Sequence, residues 1–341
     1  MKLILLLRYV FLAAFILAGT GYSYSQGISA ADRKQLQKKE DSLKKLSRSM
    51  VFSTNPSERF RADSNFVRTL VRTLLVKNSF NYPLDSVAIS KLYAPDSSFR
   101  IFTWQLQKDE YVYLQKGAIQ MKTPDGSLKL FPLHDVSMFS AKPWDSVRNR
   151  QNWVGAIYYR IVLKTFNNKK YYTLLGFDDF SVSSNKKWME VLSFNENGEP
   201  VFGGPFISIT DSSAKVKVLP RFNIEYKKEA KTFFNYDPEL DMIVYDHLIS
   251  ESNEPDRRET FIPDGDFQGF KWQNGQWVHV DKVFNFQLKD GQFPMDEKLL
   301  DDSGKPDEEK LQKASDRNIE KQNPSKDPKK TNPPKKTGGG N

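Results

Sequence analysis

The 341-residue chain contains no cysteine. No disulfide can staple it, no thiolate can act as a nucleophile, and no cysteine can ligate a metal. Lipid anchoring through a cysteine at a cleavage site is closed for the same reason. Histidine is scarce. His134, His247 and His279 are scattered, and none stands at ligand spacing from another. Each reads as a surface or strand-end residue or, alternatively, as a lone ligand or base. The usual catalytic signatures are missing: there is no G-x-S-x-G, no H-E-x-x-H, no Walker loop and no dinucleotide fingerprint. Past the N-terminus no stretch reaches the roughly 20 apolar residues that a membrane span needs.

The N-terminus has the pattern of an export signal. Lys2 and Arg8 supply positive charge, Tyr9 to Ala18 is a short apolar run, and Gly19, Gly21, Ser23 and Ser25 form a small-residue exit. Residues 1–25 are therefore expected to be a signal peptide cleaved after Ser25. The alternative is an uncleaved anchor. The expected location is the periplasm, the outer envelope or the outside of the cell. An exported chain without disulfides must be held together by its core.

The net charge of +9 is unevenly spread. Residues 26–61 carry +5, residues 313–341 carry +5 and the signal carries +2, which leaves 62–312 at −3. The basicity sits at the ends and forms no groove on the body, so nucleic acid is not an expected partner. Basic ends either touch an anionic envelope polymer or lipid surface, or are simply solvated.

Aromatics at 13% signal a sizeable core. The organising stretch runs from Trp153 to Phe206. Two runs rich in Val, Ile, Leu, Tyr and Phe flank Asn167-Asn168-Lys169-Lys170, a hairpin signature. In the first run Ile157, Tyr159, Ile161 and Leu163 share one face, and Arg160 and Lys164 lie on the other, so one side is expected to be wet. In the second, Tyr171, Thr173, Leu175 and Phe177 alternate with Tyr172, Leu174 and Gly176. A third strand covers Trp188 to Phe194.

Upstream, Ala30 to Met50 reads as a helix with a thin stripe of Leu36, Leu43 and Leu46, either a spacer or a partner-binding arm. Ser53-Thr54-Asn55-Pro56 breaks it. Ala62 to Lys77 reads as a firmer helix capped by Asp63 or Ser64, with Phe66, Val67, Leu70, Val71, Leu74 and Leu75 facing a sheet. Asp85 to Leu92 reads as a short helical turn. From Ser98 the period becomes two. Phe99–Gln107 and Glu110–Met121 form a hairpin, followed by a turn at Pro124-Asp125-Gly126 and a strand at Leu128–Leu133. Beyond Phe206, strands are expected at Lys215–Leu219, Phe222–Lys228, Lys231–Tyr236 and Asp241–Asp246. A turn is expected at Pro263-Asp264-Gly265-Asp266, and then a hairpin around Asn274-Gly275, the strongest short-range hairpin signal. After Leu300 apolar residues nearly vanish and disorder is expected.

The fold class that follows is α+β, a predominantly antiparallel β-meander with N-terminal helices, closed as a barrel, a sandwich or a propeller-like array. Its divisions are a basic helical arm and linker at 26–61, a helical segment packing on the sheet at 62–97, a β-rich body at 98–300 and a disordered basic tail at 301–341.

Two acidic groups bear on function. Asp178-Asp179 could serve glycoside hydrolysis, but strand neighbours point opposite ways, so a turn is the competing reading. Asp264 and Asp266, with Asp237, Asp241 and Asp246 nearby in sequence, could bind calcium, although the twelve-residue loop pattern is absent. The aromatics, among them Trp153, Tyr158, Trp272 and Trp277, either fill the core or form a platform for a glycan or peptide. No cofactor beyond calcium is suggested.

The motifs W-x-G-A-x-Y-Y (153–159), Y-Y-T-L-L-G (171–176), V-L-x-F (191–194) and F-G-x-P (202–205) resemble uncharacterised exported proteins of Bacteroidetes-type bacteria. E-Y-K-K-E-A (225–230), M-I-V-Y-D-H-L (242–248) and P-D-G (263–265) extend the resemblance, which covers roughly 98–283. It implies a periplasmic or outer-envelope habitat and brings no activity, cofactor or catalytic residue. Asp246-His247 within it is either a functional hint or a polar strand end. The expected function is a non-catalytic binding or assembly module for another envelope component, protein or glycan. The alternatives are a carboxylate-dependent enzyme acting on a glycan and a calcium-stabilised β module.

Overall fold

Ser29 starts the first helix by accepting the N–H of Asp32 on its hydroxyl, an N-cap that satisfies one of the open donors of the first turn. Helix α1 then runs Ala30–Phe52. Asn55 caps helix α2, Pro56–Leu74, with Pro56 at the position where a missing N–H costs nothing. The cap is thus Asn55, and α2 begins six residues before Ala62. Asp63 lies inside the helix, where its carboxylate accepts the Trp104 indole N–H at 3.0 Å. Residues 27–109, 112–140, 142–210, 215–284 and 307–313 are described by this computed structural model. Residues 1–25, the expected signal peptide, lie outside them. Of 301–341 only 307–313 are described. There 308–313 form a helical turn, started by the Asp307 carboxylate on the N–H groups of Glu309 and Lys310. That stretch belongs to a second unit, Phe284–Asn341, separate from the body.

In chain order, β1 (Ser90–Tyr93), β2 (Phe99–Gln107), β3 (Tyr113–Met121) and β4 (Lys129–Leu133) form a four-stranded antiparallel meander. Ser90–Tyr93 pairs with β2 where the sequence predicts a helical turn, because Lys91 and Leu92 find ladder partners that local propensity does not record. A central sheet follows with β5 (Arg148–Asn149), β6 (Ile157–Phe166), β7 (Lys169–Asp178), β8 (Ser184–Phe194) and β9 (Pro200–Phe202). β10 (Ile207–Thr210) and β11 (Val216–Leu219) open a third sheet, and β12 (Arg221–Lys227) returns to pair with β8. β13 (Phe234–Asp237), β14 (Met242–Ser250), β15 (Phe261–Gln273) and β16 (Gln276–Val280) complete the third sheet. β16 pairs in parallel with β10, so the third sheet is not a pure meander. The sheets do not close into a barrel. They stack as layers.

Alternation along β2 shows the layering. Phe102, Trp104 and Leu106 enter a first core with Leu36, Leu43, Met50, Phe66 and Leu70 of the helices. Phe99 and Ile101, on the opposite face, enter a second core with Tyr158, Tyr172, Leu174 and Trp188 of the central sheet. The other face of the central sheet, with Val162, Leu175, Met189 and Val191, meets Ile207, Ile243, Phe270 and Trp277 of the third sheet. The order is helices, first sheet, central sheet, third sheet.

Two expectations are corrected by this stack. Ala30–Phe52 is no spacer or arm: Leu36, Leu43 and Met50, seven residues apart, are buried, and each such side chain contributes roughly 1.5–3 kcal/mol. Arg59 ties the helical turn to the sheet by donating to the carbonyls of Gln107, Ser53 and Thr54. The central hairpin has no wet face. A bulge between Tyr158 and Arg160 shifts the alternation, so Tyr158 and Ile161 face one core while Tyr159 and Val162 face the other. Its turn is as expected, with Asn167 and Asn168 at φ 47° and 58°. The Asn274-Gly275 turn matches too, at φ 49° and 82°, and sets Trp272 opposite Trp277. Pro263-Asp264-Gly265-Asp266 is not a turn between strands. It is the irregular middle of β15, opposite the register shift at His247 in β14. No helix among the described residues is long and apolar enough to cross a membrane.

Candidate functional site

β12 pairs with β8 on one side only. A cleft of about 550 Å³ lies along it, walled on the other side by the third sheet. The floor is aromatic. Phe222 of β12 meets Phe234, Tyr245 and Phe270 at ring-centroid distances of 6.1, 5.3 and 4.9 Å. Tyr245 and Phe222 line the cleft, joined by Phe261 at the start of β15.

Polar groups converge on this floor from segments far apart in the chain. Asn223 and Glu225 come from β12, Asp246 and His247 from β14, Gln268 from β15 and His279 from β16. Glu225 is already engaged: Lys186 lies 3.2 Å away and the Ser184 hydroxyl donates to it at 2.6 Å. Asp246 is buried and accepts the Phe233 N–H at 2.6 Å. His247 Nδ1 pairs with Asp264 at 2.7 Å. Partial burial works to raise the Asp264 carboxyl, but the His247 hydrogen bond and the Asp266 N–H outweigh it and hold it below the usual carboxylate range. His279 Nε2 is 2.8 Å from the Tyr245 hydroxyl. Burial lowers the His279 pKa against the opposing pull of Asp281, which favours the neutral ring. Burial also pushes the Tyr245 hydroxyl well above its ordinary value.

Two cations at the cleft have no carboxylate. Lys217 of β11 is exposed and forms no ion pair among the described residues. Arg258 stands in the short turn before β15, its guanidinium 4.6 Å from the centre of the Phe261 ring, also without an acidic partner among them. The other two cations, Lys186 and Arg221, are neutralised by Glu225 and Glu190. The cleft therefore joins an apolar ring surface, two amides and a local excess of positive charge.

The aromatic candidates do not sit here. Trp153 and Tyr158 are fully enclosed between the first and central sheets: the Trp153 indole donates to the Tyr158 hydroxyl at 2.8 Å, and that hydroxyl donates to Glu190. Trp277 is fully enclosed in the third core and donates to Thr173 Oγ1 at 2.7 Å. Trp272 is half-buried against Tyr171 and Trp277. Enclosed rings offer no platform, so all but Trp272 are core residues.

Asp178 and Asp179 diverge, as strand neighbours should. Asp178 is buried and accepts the Gln115 amide at 2.9 Å, while Asp179 pairs with Lys228. Burial, opposed by Gln115 and Lys186, pushes the Asp178 carboxyl up to about 6. It lines no part of the cleft. The calcium candidates are likewise occupied: Asp264 by His247, and Asp266 by Lys282 at 3.6 Å. Asp237 accepts backbone N–H groups of its own turn and Asp241 pairs with Lys164. No group of three His, Asp or Glu among the described residues converges as a metal site.

Sequence reasoning passed over Lys217, Phe222, Asn223, Arg258 and Gln268. The only signal was Asp246-His247, since the remaining residues come together through strand pairing. No protein-family model, curated protein or solved structure matches the chain.

Proposed function

We propose that the protein is a non-catalytic exported binding module of the bacterial envelope, and that the cleft beside β12 receives an acidic glycan. The observation that carries this reading is the pair Lys217 and Arg258, cations without carboxylate partners among the described residues, at the edge of an aromatic floor. Phe222, Tyr245 and Phe261 suit the apolar face of a sugar ring. The amides of Asn223 and Gln268 suit its hydroxyls, and the two cations suit its carboxylate or phosphate. The cleft's own carboxylates support binding over hydrolysis, because Glu225 is spent on Lys186 and Asp246 on the Phe233 N–H. Glycoside cleavage needs two carboxyl groups free to act on opposite sides of one bond. Export is supported by the N-terminal pattern and by the resemblance to exported proteins.

The test is binding of the mature chain to uronic-acid oligosaccharides and to their neutral counterparts. The acidic series is expected to bind at least tenfold tighter. Lys217→Gln with Arg258→Gln should remove that preference without changing the melting temperature. Equal affinity for both series, or a variant that keeps the preference, overturns the reading. Release of reducing ends during the assay would favour the enzyme alternative.

A further inference from the structure

α2 buries one face and leaves another uncovered. Phe66, Leu70 and Leu74 enter the first core, whereas Phe60, Val67, Val71 and Leu75 are 37%, 37%, 37% and 63% exposed. At 3.6 residues per turn the four exposed residues and Ser64 fall within an arc of about 80°. Arg61, Arg68 and Arg72 occupy the adjoining arc of about 40°. All three are exposed, and none has a carboxylate partner among the described residues. An apolar stripe edged by arginines is the pattern of a helix that lies in a membrane interface.

The charge distribution points the same way. Residues 27–77 hold twelve basic and five acidic side chains, a net +7, while the sheet region, 78–283, carries −1. Two of the five acids are turned inward: Glu40 holds Tyr82 and Ser86, and Asp63 holds Trp104. On α1 the exposed charges are Arg33, Lys34, Lys38, Lys44, Lys45 and Arg48 against Asp41. A body with a strongly positive helical layer and near-neutral sheets orients in the field of an anionic surface, helices first.

We infer that the outer face of the helical layer docks on an anionic lipid bilayer, with Phe60, Val67, Val71 and Leu75 entering the headgroup region and Arg61, Arg68 and Arg72 meeting phosphates. This leaves the cleft of the third sheet at the far side of the stack, turned away from the lipid.

The absence of cysteine makes a direct test available. Val71→Cys in the mature chain, labelled with an environment-sensitive fluorophore, is mixed with vesicles of phosphatidylcholine alone or with about one-third phosphatidylglycerol. A label at Val216→Cys on β11 is the control. The label at 71 is expected to shift to the blue and to be quenched by nitroxide lipids on the anionic vesicles only, while the label at 216 does neither. Arg61→Gln, Arg68→Gln and Arg72→Gln together should weaken vesicle binding at least tenfold with unchanged circular dichroism. Binding without a shift at 71 would mean that the basic tail alone holds the lipid, and the inference fails. It fails equally if both labels shift, or if the label at 71 shifts without vesicles as protein concentration rises, which would place a second copy on the stripe.

Discussion

The two sheet-on-sheet interfaces of the stack are held by different chemistry. Between the first and central sheets the core contains charge. Glu190 takes the Tyr158 hydroxyl and the Arg221 guanidinium with both partners of the ion pair 1% exposed, and Asp178 takes the Gln115 amide. Asp135 accepts N–H groups from Gly155 and Gln115. Between the central and third sheets the core is apolar and rich in rings, with Trp277 on Thr173 and the Tyr159 hydroxyl on the Phe234 carbonyl inside it and Arg160 on the Tyr236 carbonyl and Lys164 on Asp241 at its rim. The first interface closes around its charges and pairs them. The second leaves a cleft at its edge with two cations that have no carboxylate partner among the described residues. Buried charge specifies an arrangement only when every partner is present, whereas ring packing tolerates an opening.

The sharpest way to break this contrast is Arg221→Met. It leaves the Glu190 carboxylate buried beside Tyr158, with an expected loss of about 3–5 kcal/mol in urea unfolding. Adding Glu190→Leu should recover much of it. A single variant losing under about 1 kcal/mol would show the pair to be solvated.

Next in size is Asp178→Asn. The folded carboxyl titrates at about 6 and the unfolded one at 3.8, so the native state holds the extra proton between those values. Stability attributable to this group is present below about pH 4 and declines as pH rises through about 6. The amide keeps the acceptor for Gln115 and removes that decline. At pH 7 the variant should be more stable, by at most about 3 kcal/mol. A parallel pH profile for both proteins would count against it. Asp96, in the same interface, runs the opposite way. Its partial burial is outweighed by Lys170, Ser98 and Tyr172, which hold its carboxyl at about 2. Its contribution is present above 3.8 and is lost as pH falls through about 2.

In the aromatic interface, Trp277→Phe removes the bond to Thr173 and part of a ring. The expected loss is about 2 kcal/mol, with little dependence on pH. The smallest effect belongs to the cleft. Lys217→Gln and Arg258→Gln should each change stability by less than about 0.5 kcal/mol, because both side chains are exposed and neither has a carboxylate partner among the described residues. A larger loss would make them structural and would weaken the binding proposal.

Much of the strand content could be read from residue pattern, and the errors have identifiable causes. Ala30 to Met50 looks like a spacer because Leu36, Leu43 and Leu46 make a thin stripe, yet Leu36, Leu43 and Met50 are enough to seat the helix against both a helix and a sheet. The wet face assigned to β6 follows from strict alternation, which one bulge overturns. Trp153, Tyr158 and Trp277 carry the same signal whether they line a core or a platform, because ring chemistry does not report which side is covered. The cleft was illegible except at Asp246-His247.

Turns and alternation belong to the chain itself. Asn167-Asn168 and Asn274-Gly275 adopt left-handed backbone at little cost wherever they stand, and the strands beside them pair with what the turn brings near. The parallel contact of β10 with β16, the return of β12 to β8 and the placing of Lys217 and Arg258 on one cleft belong to the assembled layers. Those pairings join residues tens of positions apart, and their free energy comes from surfaces that exist only once the sheets have stacked.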